Sequence, residues 1–162
     1  GGVQVGALIA VNAFGDVIDP ANGAILAGVR PLAKGPLKLG SGKWADTLEL
    51  MKGLAGRTVM DLAQRGNTVI GVVATNAKFN KEESNKLARM AMNGLARTIR
   101  PANTMLDGDT LFALATGKKK ADVNIVGAFA AELVAEAVLR AVRQARGMGG
   151  IPAAHELGES AA

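Results

Sequence analysis

An α/β layered domain is the fold class this sequence predicts, on three observations. Three apolar runs of strand length are rich in β-branched residues, two long helical patterns follow the second and third of them, and the order reads strand, long loop with a helix, strand, helix, strand, helix. A length of 162 residues with 49% hydrophobic and 20% charged residues predicts one domain with a real core.

The first run is Val5-Gly6-Ala7-Leu8-Ile9-Ala10-Val11. Its near-continuous apolarity, shared by the other two runs, predicts a central sheet buried on both faces by helices. From Gly15 to Gly66 the chain is loop-rich, with Gly23, Gly28, Gly35, Gly40 and Gly42 among Pro20, Pro31 and Pro36. Within it Ala45 to Gln64 has a helical spacing (Leu48, Met51, Leu54 or Ala55, Val59, Leu62) interrupted by Gly53 and Gly56. The second run is Val69 to Thr75. The helix after it runs from about Lys81 to Ile99: Asn80 is its N-cap, Glu82 and Glu83 favour the first turn, and Pro101 stops it. Leu87, Met90, Ala91, Gly94, Leu95 and Thr98 form one face. The third run is Thr110 to Thr116, and Lys118-Lys119-Lys120 reads as a solvated loop. A second helix spans about Ala121 to Arg146, with Glu132, Glu136, Arg140 and Arg143 on its polar face and Gly147 as its stop. Gly147 to Ala162 reads as a surface tail.

Composition excludes several chemistries. With no cysteine there is no disulfide, thiolate metal site or catalytic cysteine, and one histidine, His155 in the polar tail, excludes a Ser-His-Asp triad and a multi-histidine metal site. No apolar run is long enough to span a bilayer, so no membrane partner is expected, and the absence of cysteine and of a visible signal fits the cytoplasm. The chain opens on Gly1-Gly2 without an initiator methionine and is expected to start inside a longer protein. A net charge of +5 favours acidic partners, but the cations are dispersed and stacking residues are few (one Trp, four Phe, no Tyr), so nucleic acid is not the expected partner.

Gly66-Asn67-Thr68 immediately precedes the second run. On spacing alone it is a turn entering a strand. It also permits a definite chemistry. The threonine hydroxyl can attack the carbonyl of the preceding residue, the peptide becomes an ester, and water cleaves it. The freed α-amine, with a reference pKa of about 7.7–8.0, then serves as general base for its own hydroxyl without any histidine.

Here the residues resemble a known family. Gly66-Asn67-Thr68-Val69-Ile70-Gly71-Val72-Val73-Ala74-Thr75-Asn76-Ala77 resembles the self-cleavage segment of the self-processing L-aminopeptidase/D-esterase family (the DmpA or β-peptidyl aminopeptidase group). Val5 to Gly15, Asn85 to Ala91 with Gly94 to Arg97, and Asp107-Gly108-Asp109-Thr110 onward to Gly117 are similar to it in the same order. The resemblance implies an αββα sandwich, like that of the ornithine acetyltransferases, and self-cleavage between Asn67 and Thr68. Residues 1–67 would then be the C-terminal part of an α subunit, 68–147 the core of a β subunit and 148–162 a flexible tail, with αβ units assembling into a tetramer. It implies an amide or ester hydrolase that removes N-terminal residues from small peptides and amides, with no metal and no organic cofactor expected. Thr68 would be the nucleophile, and Asn12 the oxyanion-stabilising asparagine, a role that suits a side-chain amide. Asp107 and Asp109 would orient the amine and hydroxyl. Without the resemblance, Asn12 reads as a strand-end residue and Asp107-Gly108-Asp109 as a turn.

The chain departs from the family in three ways. Asp107 stands where β-peptidyl members have a serine, family members are considerably longer on the N-terminal side, and Leu32 to Arg65 is longer and more basic. Two other readings stand beside the hydrolase: an ornithine-acetyltransferase-like acyl transferase, and a non-enzymatic basic binding module.

Overall fold

In the computed structural model of the chain, residues 1–31, 43–53 and 66–157 are described. Nine elements are assigned among them: β1 (Val5–Ala10), β2 (Asp16–Ile18), β3 (Ile25–Ala27), α1 (Thr47–Lys52), β4 (Ile70–Ala77), α2 (Lys81–Thr98), β5 (Ile99–Arg100), β6 (Thr110–Lys119) and α3 (Val123–Gln144). The fold is mixed α/β, as the patterning predicts. No helix among the described residues is long and apolar enough to cross a membrane.

The main sheet has the order β1-β4-β6. β1 runs antiparallel to β4, with Ala10 opposite Ile70 and Val5 opposite Thr75. β4 runs parallel to β6, with Ile70 opposite Thr110 and Thr75 opposite Ala115. A parallel pair needs a crossover, which α2 supplies. Asn80 caps α2 in a full capping box: its side chain accepts from the Glu83 N–H, and the Glu83 carboxylate accepts from the Asn80 N–H. Asp122 caps α3, its side chain accepting from the Asn124 and Ile125 N–H groups.

Both long helices lie on one face of this sheet. Val73, Leu87, Ala91, Leu95, Leu111, Val126, Ala130, Val134 and Val138 form the core between them, with Val5, Ala7 and Ile9 packed against it. α2 and α3 approach closely because small residues face each other. A Cβ on Gly94 would meet the Ala131 carbonyl oxygen and Val134, and one on Gly127 would meet Met90.

The expectation that both sheet faces are buried is not met among the described residues. Leu8 is 74% exposed, Phe112 57% and Leu114 56%. Leu8, Val72 and Phe112 lie in one cross-strand row, on the face opposite the helices. An apolar run tells that a strand is flanked by apolar surroundings but not which layer provides them.

Other boundaries shift for local reasons. α3 ends at Gln144, before the expected stop at Gly147, because Ala145 turns extended; the Gly147 N–H is taken by Glu156, which also accepts from the Ala153 N–H. Those two bonds pin the chain between 147 and 156. Lys118 and Lys119, expected in a loop, continue β6 beyond a register shift against β4 and stay exposed. The loop-rich stretch holds β2 and β3, which its composition conceals and which form a second small sheet, β3-β2-β5, with the strand after α2.

Of the helix expected over 45–64, α1 is seen, with Asp46 as N-cap. Residues 54–65, like 32–42, lie outside the described residues. α1 is tied to β2 by Asp16, a fully buried carboxylate that accepts from the Thr47 N–H and hydroxyl, each at 2.6 Å, and from the Val29 N–H at 3.3 Å. Burial raises its pKa against the pull of these donors. Arg100 reaches Asp46 at 2.6 Å and joins β5 to the same anchor.

Gly94→Ala tests the helix contact. Alanine is the better helix former by about 1 kcal/mol. Its Cβ would fall on the Ala131 carbonyl oxygen, which is backbone and cannot rotate away, and crowding of that kind costs about 1–3 kcal/mol. We expect net destabilisation, read as a lower urea midpoint at unchanged m-value. A higher midpoint would mean that α2 and α3 can part freely.

Candidate active site

Three strand ends meet at one edge of the main sheet. The β1–β4 register, continued past Ala10 and Ile70, sets Asn12 opposite Thr68, and the Thr68 N–H donates to the Asn12 carbonyl at 2.8 Å. The β4–β6 register, continued past Ile70 and Thr110, sets Asn67 opposite Asp107 in an isolated parallel bridge. Along that edge the Thr110 N–H donates to the Val69 carbonyl at 2.9 Å, and the Gly108 N–H to the Asn67 carbonyl at 3.1 Å. The residues singled out in the sequence, 12, 67, 68, 107 and 109, are therefore brought together by strand pairing.

Thr68 is half-buried, between exposed Gly66 and buried Val69. Its hydroxyl donates to the Asn67 carbonyl oxygen at 2.6 Å. The hydroxyl is thus beside the carbonyl it would attack, and among the described residues that oxygen accepts from the hydroxyl and from the Gly108 N–H. Gly66 enters this segment with φ +75°, in the left-handed region that favours glycine.

Asn12 is exposed, and its side-chain amide donates at 3.1 Å to the carbonyl of Gly66, one residue before the expected scissile bond. Its main-chain carbonyl holds the Thr68 N–H, the nitrogen that scission would free. Asn12 therefore brackets the segment from both of its polar ends.

The two aspartates are held differently. Asp109 accepts from the Val69 N–H at 2.8 Å, which sets its carboxylate beside the residue following Thr68. Burial raises its pKa and the neighbouring Asp107 charge adds to the rise, against the Val69 N–H. Asp107 accepts from the Phe14 N–H at 3.2 Å with one oxygen. With the other it accepts from the Thr104 hydroxyl at 2.7 Å and the Thr104 N–H at 3.2 Å. Phe14 and Leu106 pack together with Leu50 and Met51 behind this carboxylate.

Sequence reading passed over Thr104 and the Phe14 amide, which fix Asp107. The signal for Thr104 was present as a hydroxyl residue three before an aspartate, a pattern that closes side-chain-to-backbone turns. No sequence signal marks a main-chain donor such as that of Phe14 or Gly108.

Comparison with known proteins gives the family of the chain. Residues 1–155 match peptidase family S58. An uncharacterized aminopeptidase of Mycobacterium tuberculosis is 39% identical over 170 residues, covering 93% of this chain and 47% of that protein. One from Mycobacterium leprae is 39% identical over 168 residues, covering 93% and 43%. A 6-aminohexanoate-oligomer endohydrolase of Kocuria sp. (strain KY2) is 33% identical over 95 residues, 51% of this chain and 27% of that protein. The chain thus spans about half the length of the aminopeptidases it matches. With a match running from residue 1 to residue 155, it belongs to peptidase family S58.

Proposed function

We propose that this chain is part of a self-cleaving N-terminal-threonine hydrolase, an aminopeptidase or amidase acting on N-terminal residues of small peptides or amides. The observation that carries the reading is the Thr68 hydroxyl at 2.6 Å from the Asn67 carbonyl oxygen, between Asn12 and the two aspartates. Membership of a peptidase family favours it over the binding module and the acyl transferase. A relative named for hydrolysing 6-aminohexanoate oligomers supports amides as the substrate class.

In self-cleavage Thr68 Oγ1 bonds to the Asn67 carbonyl carbon, and its proton passes to the Thr68 nitrogen as the C–N bond breaks. Water then adds to the ester, releasing the Asn67 carboxylate and returning a proton to the hydroxyl. In turnover the freed Thr68 amine, near its pKa at neutral pH, takes the hydroxyl proton, and the nucleophile forms an acyl-enzyme ester that water hydrolyses. Asp107 and Asp109 orient the amine and hydroxyl. Withdrawal of the cut 66–67 segment frees the Asn12 amide from the Gly66 carbonyl for the substrate's oxyanion.

The αββα sandwich belongs to the same proposal. The bare apolar face carrying Leu8, Phe112 and Leu114 supports a second sheet packed there, and the length by which the aminopeptidase relatives exceed this chain is enough to supply one. Exposed Ile125 and Phe129 on α3 support an oligomer of αβ units, a tetramer by the resemblance.

Intact mass of wild type beside Thr68→Ala is the direct test. Fragments 1–67 and 68–162 should form in wild type only, with hydrolysis of aminoacyl amides lost in the variant; scission or hydrolysis retained in Thr68→Ala would overturn the reading. The pH dependence gives a further check. Because burial raises the Asp109 pKa, its carboxylate is protonated at a higher pH than an ordinary aspartate, and self-cleavage should fall as acid protonates it. Asp109→Asn should abolish that acid limb. A limb at the ordinary aspartate position would show that Asp109 is not the group titrating.

A further inference from the structure

We propose that the backbone N–H of Gly108 is the donor that stabilises the developing oxyanion in self-cleavage, and that residue 108 must be glycine to admit the Thr68 hydroxyl. This rests on the self-cleavage reading and assigns a role to a residue outside the nucleophile, the asparagine and the two aspartates.

Three observations carry it. First, the oxygen that becomes negative when Thr68 attacks is the Asn67 carbonyl oxygen, and among the described residues it accepts from two donors, the Thr68 hydroxyl at 2.6 Å and the Gly108 N–H at 3.1 Å. The hydroxyl cannot stay there as donor, because it is the attacking group and gives up its proton. Of these two, the Gly108 N–H alone persists through the reaction. Second, Asn12, the side chain expected to serve an oxyanion, is engaged one carbonyl upstream, on Gly66. Third, a Cβ on residue 108 would lie 2.9 Å from Thr68 Oγ1. Any other residue crowds the nucleophile in the position from which it attacks.

The donor is also fixed before the reaction. Residue 108 lies between two aspartates whose carboxylates are tied to main-chain amides of other segments, Phe14 for Asp107 and Val69 for Asp109. The strand register then aims the amide at residue 67. A dipole held in place by such bonds need not reorganise as charge develops, which is the condition under which a single donor is worth about 100- to 1,000-fold in rate. When scission releases the Asn67 carboxylate, the same N–H becomes open to the acyl oxygen of a substrate.

The test replaces the Gly108 nitrogen by oxygen (glycolic acid introduced by semisynthesis), which removes the N–H and adds no side chain. Scission is followed by intact mass, with melting by circular dichroism as the check on folding. We expect scission at least about 100-fold slower than wild type. Gly108→Ala keeps the N–H and should also slow scission, by about 100-fold, through displacement of the hydroxyl. A third measurement leaves position 108 untouched: in uncut Thr68→Ala, the Gly108 amide should be protected from hydrogen exchange. Wild-type scission rates in the ester variant, or an unprotected Gly108 amide, would overturn the donor role. A wild-type rate in Gly108→Ala would overturn the space requirement. If wild type itself yields no fragments, the self-cleavage reading fails and takes this inference with it.

Discussion

The pairing of β4 with a neighbour on each side is the constraint from which the rest follows. β4 takes β1 antiparallel and β6 parallel, and both ladders continue past the start of β4, to Asn12 on one side and Asp107 on the other. Side chains alternate along a strand, so a slip of one residue in either ladder would turn Thr68 to the opposite face and move the Gly108 amide off the Asn67 carbonyl. The buried alternation of Val69 and Val73 against the helices fixes the register of β4. Core packing and site geometry are thereby one requirement: the apolar side chains that choose the register also choose where the hydroxyl lies.

The second support comes from behind the site. The loop from Asn103 to Asp109 is short of regular structure, yet its polar groups are answered: Thr104 closes on Asp107, Phe14 reaches Asp107 across the sheet edge, and Val69 reaches Asp109. Asp16, Thr47, Asp46 and Arg100 anchor the neighbouring small sheet and α1. A carboxylate removed from water must find donors. At Asp109 burial raises the pKa and the neighbouring Asp107 charge adds to it, against the pull of the Val69 N–H.

Much of this was legible in the residues. Asn80 followed by Glu83, and the apolar stripe through Leu87, Ala91 and Leu95, specify α2 almost to its ends, because capping and periodicity are local. The three β-branched runs mark the strands for the same reason. The short strands β2, β3 and β5 were hidden, since two or three residues carry no period and their pairing is set by partners far along the chain. The exposed sheet face was misread because apolar content does not say which layer covers it. Of the site, the side chains at 12, 68, 107 and 109 could be named through resemblance. Main-chain donors could not, because an N–H is common to every residue but proline and only register says where it points.

The position of Thr68 at the mouth of the central strand has a consequence for how the molecule is held together once cut. Scission there would divide the sheet between two polypeptides. β1 would belong to one, and β4, β6 and both long helices to the other, joined by the β1–β4 ladder and the packing of Val5, Ala7 and Ile9 on the core. Folding of the intact chain is unimolecular, since the segment before Thr68 tethers β1 to β4; after the cut, regaining the same sheet would require two chains to meet, and would depend on their concentration. The native state of the cut protein would then persist through the barrier to its unfolding, a state reached by a route that the cut itself closes.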